Sequence, residues 1–459
     1  MHWRTTNGPW WRRWSRPPLG SSARADGSRS RAMKYALVTF GCRANQADSA
    51  GLDGDLRAVG GRPTTLQDAN LVVVNTCSVT SAADQSARQA IRRIRRGNPE
   101  ARIVVTGCYA TRAADELSGL PGVEAVVPNG RKEQLAADLR PLIASLPDGK
   151  GDGPCGTALE VQPSSRTVQL LGVQTGCDDT CTYCIIPRTR GHGRSRPFDN
   201  VLARVRSAVA DGVKEVVLTG VHLGSYGRDL APGTSLLSLA QALDALAVDC
   251  RFRLSSLEPM DCEPGLVDLV ARRGRFVPHF HLPLQHASDA CLRAMGRPYT
   301  RDDYRRVVDS VRDALPDAAI GTDLIAGFPG ETAADHAASL DYLAGSPITS
   351  VHVFPYADRP GTLASRLPQK IDVAVARRRA RELREVAEQL QQRFRQRAVG
   401  TVRPALTLGG GGAALTDNYL KVELAPAVPG NCLVDVRIAS TTGKRTIGEL
   451  VGSGDGSAG

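Results

Sequence analysis

The sequence predicts an α/β protein in three parts: an N-terminal parallel-sheet α/β domain, a central partial (β/α)6 barrel and a small C-terminal β-barrel. Three observations predict it. Short apolar runs alternate with helix-length amphipathic stretches from residue 34 to about residue 365. A segment rich in Gly, Pro and Asp interrupts them at 146–165. After Gly400 the pattern changes to short alternating runs with glycines between. Strand–helix alternation argues for a parallel sheet covered by helices, and short alternating runs alone argue for a small barrel.

In the first part the runs are Lys34–Phe40, Leu71–Thr76 and Arg102–Gly107, each strand-length. Helical patterns lie between them at Asp48–Val59 and Ser81–Arg96. Cys42 follows Gly41, Cys77 follows Thr76, and Cys108 follows Gly107, so each run ends in a cysteine. Ligands of open α/β sheets sit at the carboxyl ends of the strands, where these three cysteines converge. The predicted domain is 33–145, with a linker at 146–165.

In the second part, 166–398, six strands are predicted at 168–174, 215–221, 251–257, 279–285, 318–327 and 348–356. Helices separate them at 199–211, 236–247, 263–273, 301–315 and 332–344. Six units suit an open partial barrel. The strand ends carry Thr219, His222, Ser255, Ser256, Glu258, His281, Gln285, Thr322, Asp323, His352 and Tyr356, on the face where such barrels place their sites. A long helix at 371–397 closes this part, with Ala376, Ala380, Leu383, Ala387, Leu390 and Phe394 on one stripe. The third part, 399–455, has runs at Val402–Leu408, Asn418–Leu424, Asn431–Ala439 and Lys444–Val451, and Gly409–Gly412 is expected to be a flexible turn.

Composition bounds the rest. The 459 residues fit about three domains. With 42% hydrophobic and 23% charged residues the chain is not mainly disordered. No apolar run is long enough to span a membrane. The 58 Lys+Arg against 47 Asp+Glu leave a formal charge of +11. Residues 1–32 hold seven Arg, one acid and all four Trp, without apolar periodicity. They are expected to be a disordered extension upstream of Met33; the alternative is an RNA-binding arm with stacking tryptophans. The eleven cysteines are an odd number in a chain without a secretion signal, which points to a reducing cytosol and thiols kept for metals or catalysis. Cys155, Cys250, Cys262, Cys291 and Cys432 read as small buried hydrophobes.

The strongest chemical signal is Cys177-Asp-Asp-Thr-Cys181-Thr-Tyr-Cys184, just past the first barrel strand. Soft thiolates select iron–sulfur clusters or zinc. Structural zinc takes four ligands, and the next Cys or His along the chain is His192. Zinc with a remote fourth ligand therefore stands as the alternative to a cluster with one open iron. Basic residues are grouped at Arg88, Arg92, Arg93, Arg95 and Arg96, at Arg188, Arg190, Arg194 and Arg196, and at Lys421, Arg437, Lys444 and Arg445. Such groups suit phosphate contacts.

These residues resemble the radical S-adenosylmethionine superfamily, and Cys42, Cys77 and Cys108 upstream resemble its methylthiotransferase family, over about residues 34–455. The resemblance implies two 4Fe–4S clusters, one on Cys177, Cys181 and Cys184 and one on Cys42, Cys77 and Cys108, with a TRAM-like terminal barrel. Gly41-Cys42-Arg43-Ala44-Asn45-Gln46, Ser255–Pro259 and His352–Thr362 look like the branch acting on threonylcarbamoyladenosine in tRNA. Pro283, His286 and Asp178 depart from that branch's pattern. The implied chemistry is reductive cleavage of S-adenosylmethionine at the Cys177/Cys181/Cys184 cluster. The radical so formed activates carbon 2 of the modified adenine, and sulfur is inserted and methylated with help from the second cluster. Tyr183, Ser255, Glu258, Gln285, Asp323, Gly327 and Glu331 are the expected cofactor or substrate contacts; Arg188, Arg190, Arg194, Arg196 and Lys421 are the expected RNA contacts. The expected partners are a tRNA anticodon loop and a reductant such as flavodoxin or ferredoxin, with an unidentified sulfur donor, no membrane and a cytoplasmic location. Isopentenyladenosine or a ribosomal-protein aspartate as substrate, or a non-enzymatic RNA-binding metalloprotein, are the competing readings.

Overall fold

The computed structural model describes residues 33–78, 80–139, 167–425 and 427–451. The expectations for 1–32, for the 146–165 linker and for Cys155 lie outside them. The chain divides into two compact units, Met1–Pro163 and Ser164–Gly459.

The first unit is a five-stranded parallel sheet in the spatial order Arg62–Pro63, Lys34–Thr39, Leu71–Thr76, Arg102–Gly107, Val123–Pro128. Side-chain alternation gives it two apolar faces. Val72, Val74, Ile103 and Val105 pack with Ala87, Ile91 and Ile94 on one. Leu71, Val73 and Val104 pack with Leu52, Leu56 and Leu135 on the other. Met33 is buried in the second of these cores. The first helix, Arg43–Ala58, starts five residues earlier than the pattern predicts, directly after Cys42. Its first turn is polar, so periodicity did not mark it. The second helix, Ser81–Gly97, matches expectation. Thr80 caps it, accepting from the Ala83 N–H at 3.1 Å.

The second unit opens with six parallel strands: Val168–Gly172, Glu215–Thr219, Arg251–Leu254, His279–His281, Ala319–Ala326 and Ser350–Pro355. Isolated bridges from Phe252 to Phe276 and from Ser256 to His281 join its two three-stranded halves. The third and fourth strands stop three and four residues earlier than predicted. Pro283, which has no N–H to give, follows the fourth. One face of the strands packs on the helices through Val216, Leu218, Phe252, Leu254, Phe280, Ile320, Leu324 and Val353. Alternation turns Arg253, His281, Asp323, His352 and Phe354 to the lumen. The helix Val373–Ala398 buries the six predicted stripe residues. Some of its arginines are structural: Arg384 donates to the Val353 carbonyl at 2.9 Å, on the barrel's last strand.

The C-terminal part is a closed barrel of five strands, one more than expected: Val402–Leu408, Ala413–Thr416, Lys421–Leu424, Leu433–Thr442 and Arg445–Leu450. Ala413–Thr416 is too short to show alternation. The Gly409–Gly412 turn before it is hydrogen-bonded: Gly411 N–H donates to Leu408 O at 2.9 Å, and Gly412 O accepts from Leu424 N–H at 3.0 Å. This barrel docks on the strand-start end of the larger one. Buried Glu215 accepts from Arg251 at 2.6 Å and Arg253 at 2.8 Å. Those guanidiniums reach on to the carbonyls of Leu415 at 2.9 Å and Asp417 at 3.0 Å.

Candidate cluster sites

In the first unit the three cysteines stand where expected, after neighbouring strands. Cys42 is exposed; Cys77 and Cys108 are buried. Two glycines make the approach possible. Gly41 has φ +92°, and a Cβ on it would lie 2.3 Å from the Cys77 Cβ and Sγ. Gly107 has φ +104°, and a Cβ there would lie 2.1 Å from the Thr76 carbonyl. Both conformations belong to glycine.

Beneath the cysteines lies a polar layer that sequence reading missed. Asn45, fully buried, donates to Phe40 O at 2.9 Å and Thr76 O at 2.8 Å. Asn75 donates to Asn45 O at 2.8 Å and Ser49 Oγ at 2.9 Å. Thr76 donates to Thr106 O at 2.6 Å. Lys132 reaches Asp48 at 2.8 Å and Asn75 at 3.1 Å. Asn129 Nδ2 lies 3.5 Å from Cys108 Sγ. The signal was polar residues ending otherwise apolar strands, as in Asn75-Thr76.

In the second unit all three cysteines belong to one loop. A two-residue ladder precedes it, pairing Gln174–Thr175 with Arg194–Ser195. Gly176 has φ +73°, and its missing Cβ makes room for the His192 carbonyl. Cys177 N–H donates to Gly191 O at 3.1 Å. Asp178 accepts from Gly193 N–H at 3.0 Å and lies 2.6 Å from His192 Nδ1. On the far side Thr182 N–H donates to Met295 O at 2.9 Å. Gln174 Oε1 accepts from the N–H groups of Val221 and His222 at 3.0 and 2.9 Å, joining this loop to the one after the second strand.

Charged groups surround the thiols. Arg297, which sequence reading missed, donates to Cys181 Sγ at 3.2 Å and to Tyr299 Oη at 3.0 Å, and pairs with Glu258. A lone arginine between two helices gave no signal. His222 lies 3.7 Å from Cys177 Sγ and 2.6 Å from Asp261. Burial works against charge on His222, but Asp261, Cys177 and Asp179 outweigh it and raise its pKa to about 9. Burial pushes the Cys184 thiol up to about 12 and raises Cys181, where Arg297 opposes it. A metal group bound here displaces those protons, so its binding is linked to pH.

Other expected contacts fall in different settings. Ser255 Oγ is buried without a hydrogen-bond partner, at a strand end. Gln285 has φ +69° and bridges to Leu324. Tyr183 packs edge-on against Phe328 at 6.5 Å. Burial would raise Asp323, but contacts from His281 at 3.0 Å and His352 at 3.1 Å hold it well below the usual carboxylate range. Gly327 and Glu331 fix their own loop. Glu331 accepts from the Gly327 and Phe328 N–H groups and pairs with Arg379 at 3.2 Å. The room left by Gly327's missing Cβ is taken by Ala376, 2.3 Å from where that Cβ would sit. Two departures from the branch pattern are internal as well: Pro283 O accepts from Tyr299 Oη at 2.9 Å, and His286 is buried.

One expected RNA contact needs correction. Arg190 is buried and donates to Thr175 Oγ1 at 3.2 Å, bracing the cluster loop. Arg188 and Arg194 are exposed, as is Lys421; Arg188 also donates to Gly361 O at 2.7 Å. Arg196 donates to Gly172 O at 2.9 Å. Of the remaining cysteines, Cys250, Cys262 and Cys291 are buried and Cys432 is half-buried.

Among the described residues, two groups have donor atoms all within 4.8 Å: Cys177, Asp179 and His222, and His281, Asp323 and His352. The six strand-end and loop thiols are a soft, three-plus-three donor set, which fits iron–sulfur chemistry. No helix among the described residues is long and apolar enough to cross a membrane.

Residues 34–128 match the Uncharacterized protein family UPF0004, and residues 171–343 match the Radical SAM superfamily. The chain is 36% identical to the threonylcarbamoyladenosine tRNA methylthiotransferase MtaB of Aquifex aeolicus, over 85% of this chain and 96% of that one. It belongs to the MtaB-type methylthiotransferase family. The MtaB of Thermotoga maritima is also 36% identical, over 81% of this chain and 85% of its own length. A tRNA-2-methylthio-N(6)-dimethylallyladenosine synthase of Acidothermus cellulolyticus is 34% identical over 88% of this chain and 82% of its own. Among solved structures, the radical S-adenosylmethionine methyltransferase TsrM of Kitasatospora setae shares the fold, with TM-score 0.52 and 17% identity over 73% of this chain and 74% of that one.

Proposed function

We propose that this protein methylthiolates carbon 2 of N6-threonylcarbamoyladenosine at position 37 of tRNA, in the cytoplasm. The observation that carries the reading is coverage. The likeness spans 96% of the Aquifex MtaB, so it extends over that relative's length rather than over one shared domain.

Cys177, Cys181 and Cys184 would hold one 4Fe–4S cluster, and Cys42, Cys77 and Cys108 the other. With S-adenosylmethionine bound, such a cluster would supply one electron to cleave the sulfonium into methionine and a 5′-deoxyadenosyl radical, able to abstract hydrogen from a C–H bond too weakly acidic for any general base. The chain's own residues set the conditions. Arg297 places positive charge against Cys181 and is itself neutralised by Glu258. His222 does the same for Cys177. Gln174 and Asp178 brace the loop that carries the three thiols. Ser255 offers a hydroxyl without an internal partner to a ligand at the strand ends. Arg188, Arg194 and Lys421 suit phosphate contacts that weaken with salt. A modified base in an anticodon loop is unpaired and can enter the barrel. A flavodoxin- or ferredoxin-like reductant would supply electrons.

The test is mass spectrometry of tRNA nucleosides from cells with and without the gene. The methylthio form of threonylcarbamoyladenosine should vanish on deletion and return with the gene. A change confined to methylthio-isopentenyladenosine would overturn the substrate, and no change in either would turn attention to a protein substrate.

A further inference from the structure

We propose that Arg297 sets the reduction potential of the iron–sulfur group held by Cys177, Cys181 and Cys184, making it easier to reduce. The inference rests on the reading of those three cysteines given above. Arg297 touches a ligand thiol and not the reacting atoms, so it is a positioning residue.

The backbone builds the contact. The short helix Asp289–Ala294 ends in a turn at Gly296, where φ is +72°. There the N–H groups of Gly296 and Arg297 donate to Arg293 O at 3.0 Å and Leu292 O at 2.9 Å. The turn lies along the cysteine loop. Its Ala294 carbonyl accepts from the Thr182 hydroxyl at 2.8 Å, and its Met295 carbonyl accepts from the Thr182 N–H at 2.9 Å. A Cβ on Gly296 would lie 3.1 Å from the Thr180 carbonyl. Arg297 thus starts from a fixed point beside Cys181.

Each nitrogen of its guanidinium has a partner. Nη1 donates to Cys181 Sγ at 3.2 Å, Nε donates to Tyr299 Oη at 3.0 Å, and Nη2 pairs with Glu258. The guanidinium carbon also lies 5.0 Å from the centre of the Tyr299 ring. The Arg297 side chain is 2% exposed. A guanidinium keeps its proton at any working pH, and a buried charge is little screened. Glu258 balances it from the other arm, but the sulfur touches the cation. The Glu258 side chain is 25% exposed, so water screens the carboxylate more than the guanidinium.

Reduction adds one negative charge to a site that holds three thiolates once loaded. The surroundings resist that charge: burial pushes the Cys184 thiol up to about 12 and raises Cys181, where Arg297 is the group that opposes it. Charge and hydrogen bonds at the ligand sulfurs are levers by which a protein moves an iron–sulfur potential. A cationic donor on Cys181 favours the reduced, more negative form. The electron comes from the flavodoxin- or ferredoxin-like reductant, and no bond forms or breaks at Arg297.

The experiment is a redox titration followed by electron paramagnetic resonance. It uses the full chain, reconstituted with iron and sulfide and carrying Cys42→Ala, Cys77→Ala and Cys108→Ala, so that one cluster signal remains. Arg297→Met keeps an apolar stem and removes the charge. At the dithionite poise that half-reduces the parent chain, it should lower the reduced-to-oxidised ratio about tenfold, a downward shift of about 59 mV for one electron. Glu258→Gln should raise the ratio, a direction that loss of packing does not produce, and it decides the matter if Arg297→Met retains no iron. An unchanged ratio in an iron-loaded Arg297→Met, or a ratio unchanged or lowered in Glu258→Gln, overturns the inference while leaving the function standing. A parent chain that takes up no cluster overturns the cysteine assignment and the inference together.

Discussion

The two cysteine sets solve one problem in opposite ways. Downstream, Cys177, Cys181 and Cys184 share one eight-residue loop, fastened from outside by ionic groups: Arg297 with Glu258, His222 with Asp261, and Asp178 with His192. Upstream, Cys42, Cys77 and Cys108 come from three strands, and the sheet itself sets their spacing. The fasteners there are mostly neutral amides and hydroxyls, Asn45, Asn75, Thr76 and Thr106, donating to strand-end carbonyls and one another. A loop can be positioned by its neighbours; a sheet edge needs only that nothing obstruct it. The first arrangement depends on charges and on Gly176, the second on Gly41, Gly107 and neutral amides and hydroxyls.

The sharpest break is between the sites themselves. Cys181→Ala should abolish release of 5′-deoxyadenosine. Cys77→Ala should keep that release and lose methylthiolation, followed by chromatography of both products. Methylthiolation surviving in Cys77→Ala would end the two-site division.

Gly41→Ala tests the glycine half. The new Cβ collides with Cys77, and the backbone conformation costs about 1–2 kcal/mol besides. Iron retained after reconstitution should fall toward one cluster per chain, with 5′-deoxyadenosine release preserved. Full iron content in this variant would show that the upstream site tolerates obstruction.

Arg297→Gln tests the ionic half. Removing one partner of a buried pair costs about 3–5 kcal/mol, less here because Glu258 keeps partial solvent contact. Thermal unfolding of the second unit should move down by several degrees, and release of 5′-deoxyadenosine should slow. An unchanged melt would show that Arg297 is dispensable.

The smallest effect sits at the strand-start end of the larger barrel. Burial alone would raise the Glu215 pKa, but Arg253 and Arg251 lower it to about 2. A depressed folded-state value stabilises above the ordinary 4.5 and is lost as pH falls from 4.5 toward 2. Stability measured across that window should fall more steeply in wild type than in Glu215→Gln. Equal slopes would remove this brace from the account.

What the sequence disclosed follows the same contrast. The downstream loop was legible because its spacing is local. The upstream set was legible only because each cysteine ends an apolar run; nothing in intervals of 35 and 31 residues marks a site. All six barrel strands and the long helix were readable, since apolar periodicity is what packs them. Arg297, Gln174 and Asn45 were not, because a polar residue's partner is set by the fold. Arg190 was misassigned for the same reason: a basic run shows charge but not which member turns inward. The strand Ala413–Thr416 was too short to show a period.

The mount of the small barrel carries a consequence for how such enzymes can diversify. Arg251 and Arg253 hold it by the main-chain oxygens of Leu415 and Asp417, and Asn418 returns a bond to the Asp317 carbonyl at 3.0 Å. Every amino acid supplies that oxygen. Substitutions across the module's outward surface therefore leave these bonds intact, and the same joint can carry barrels of different outward surface without being rebuilt.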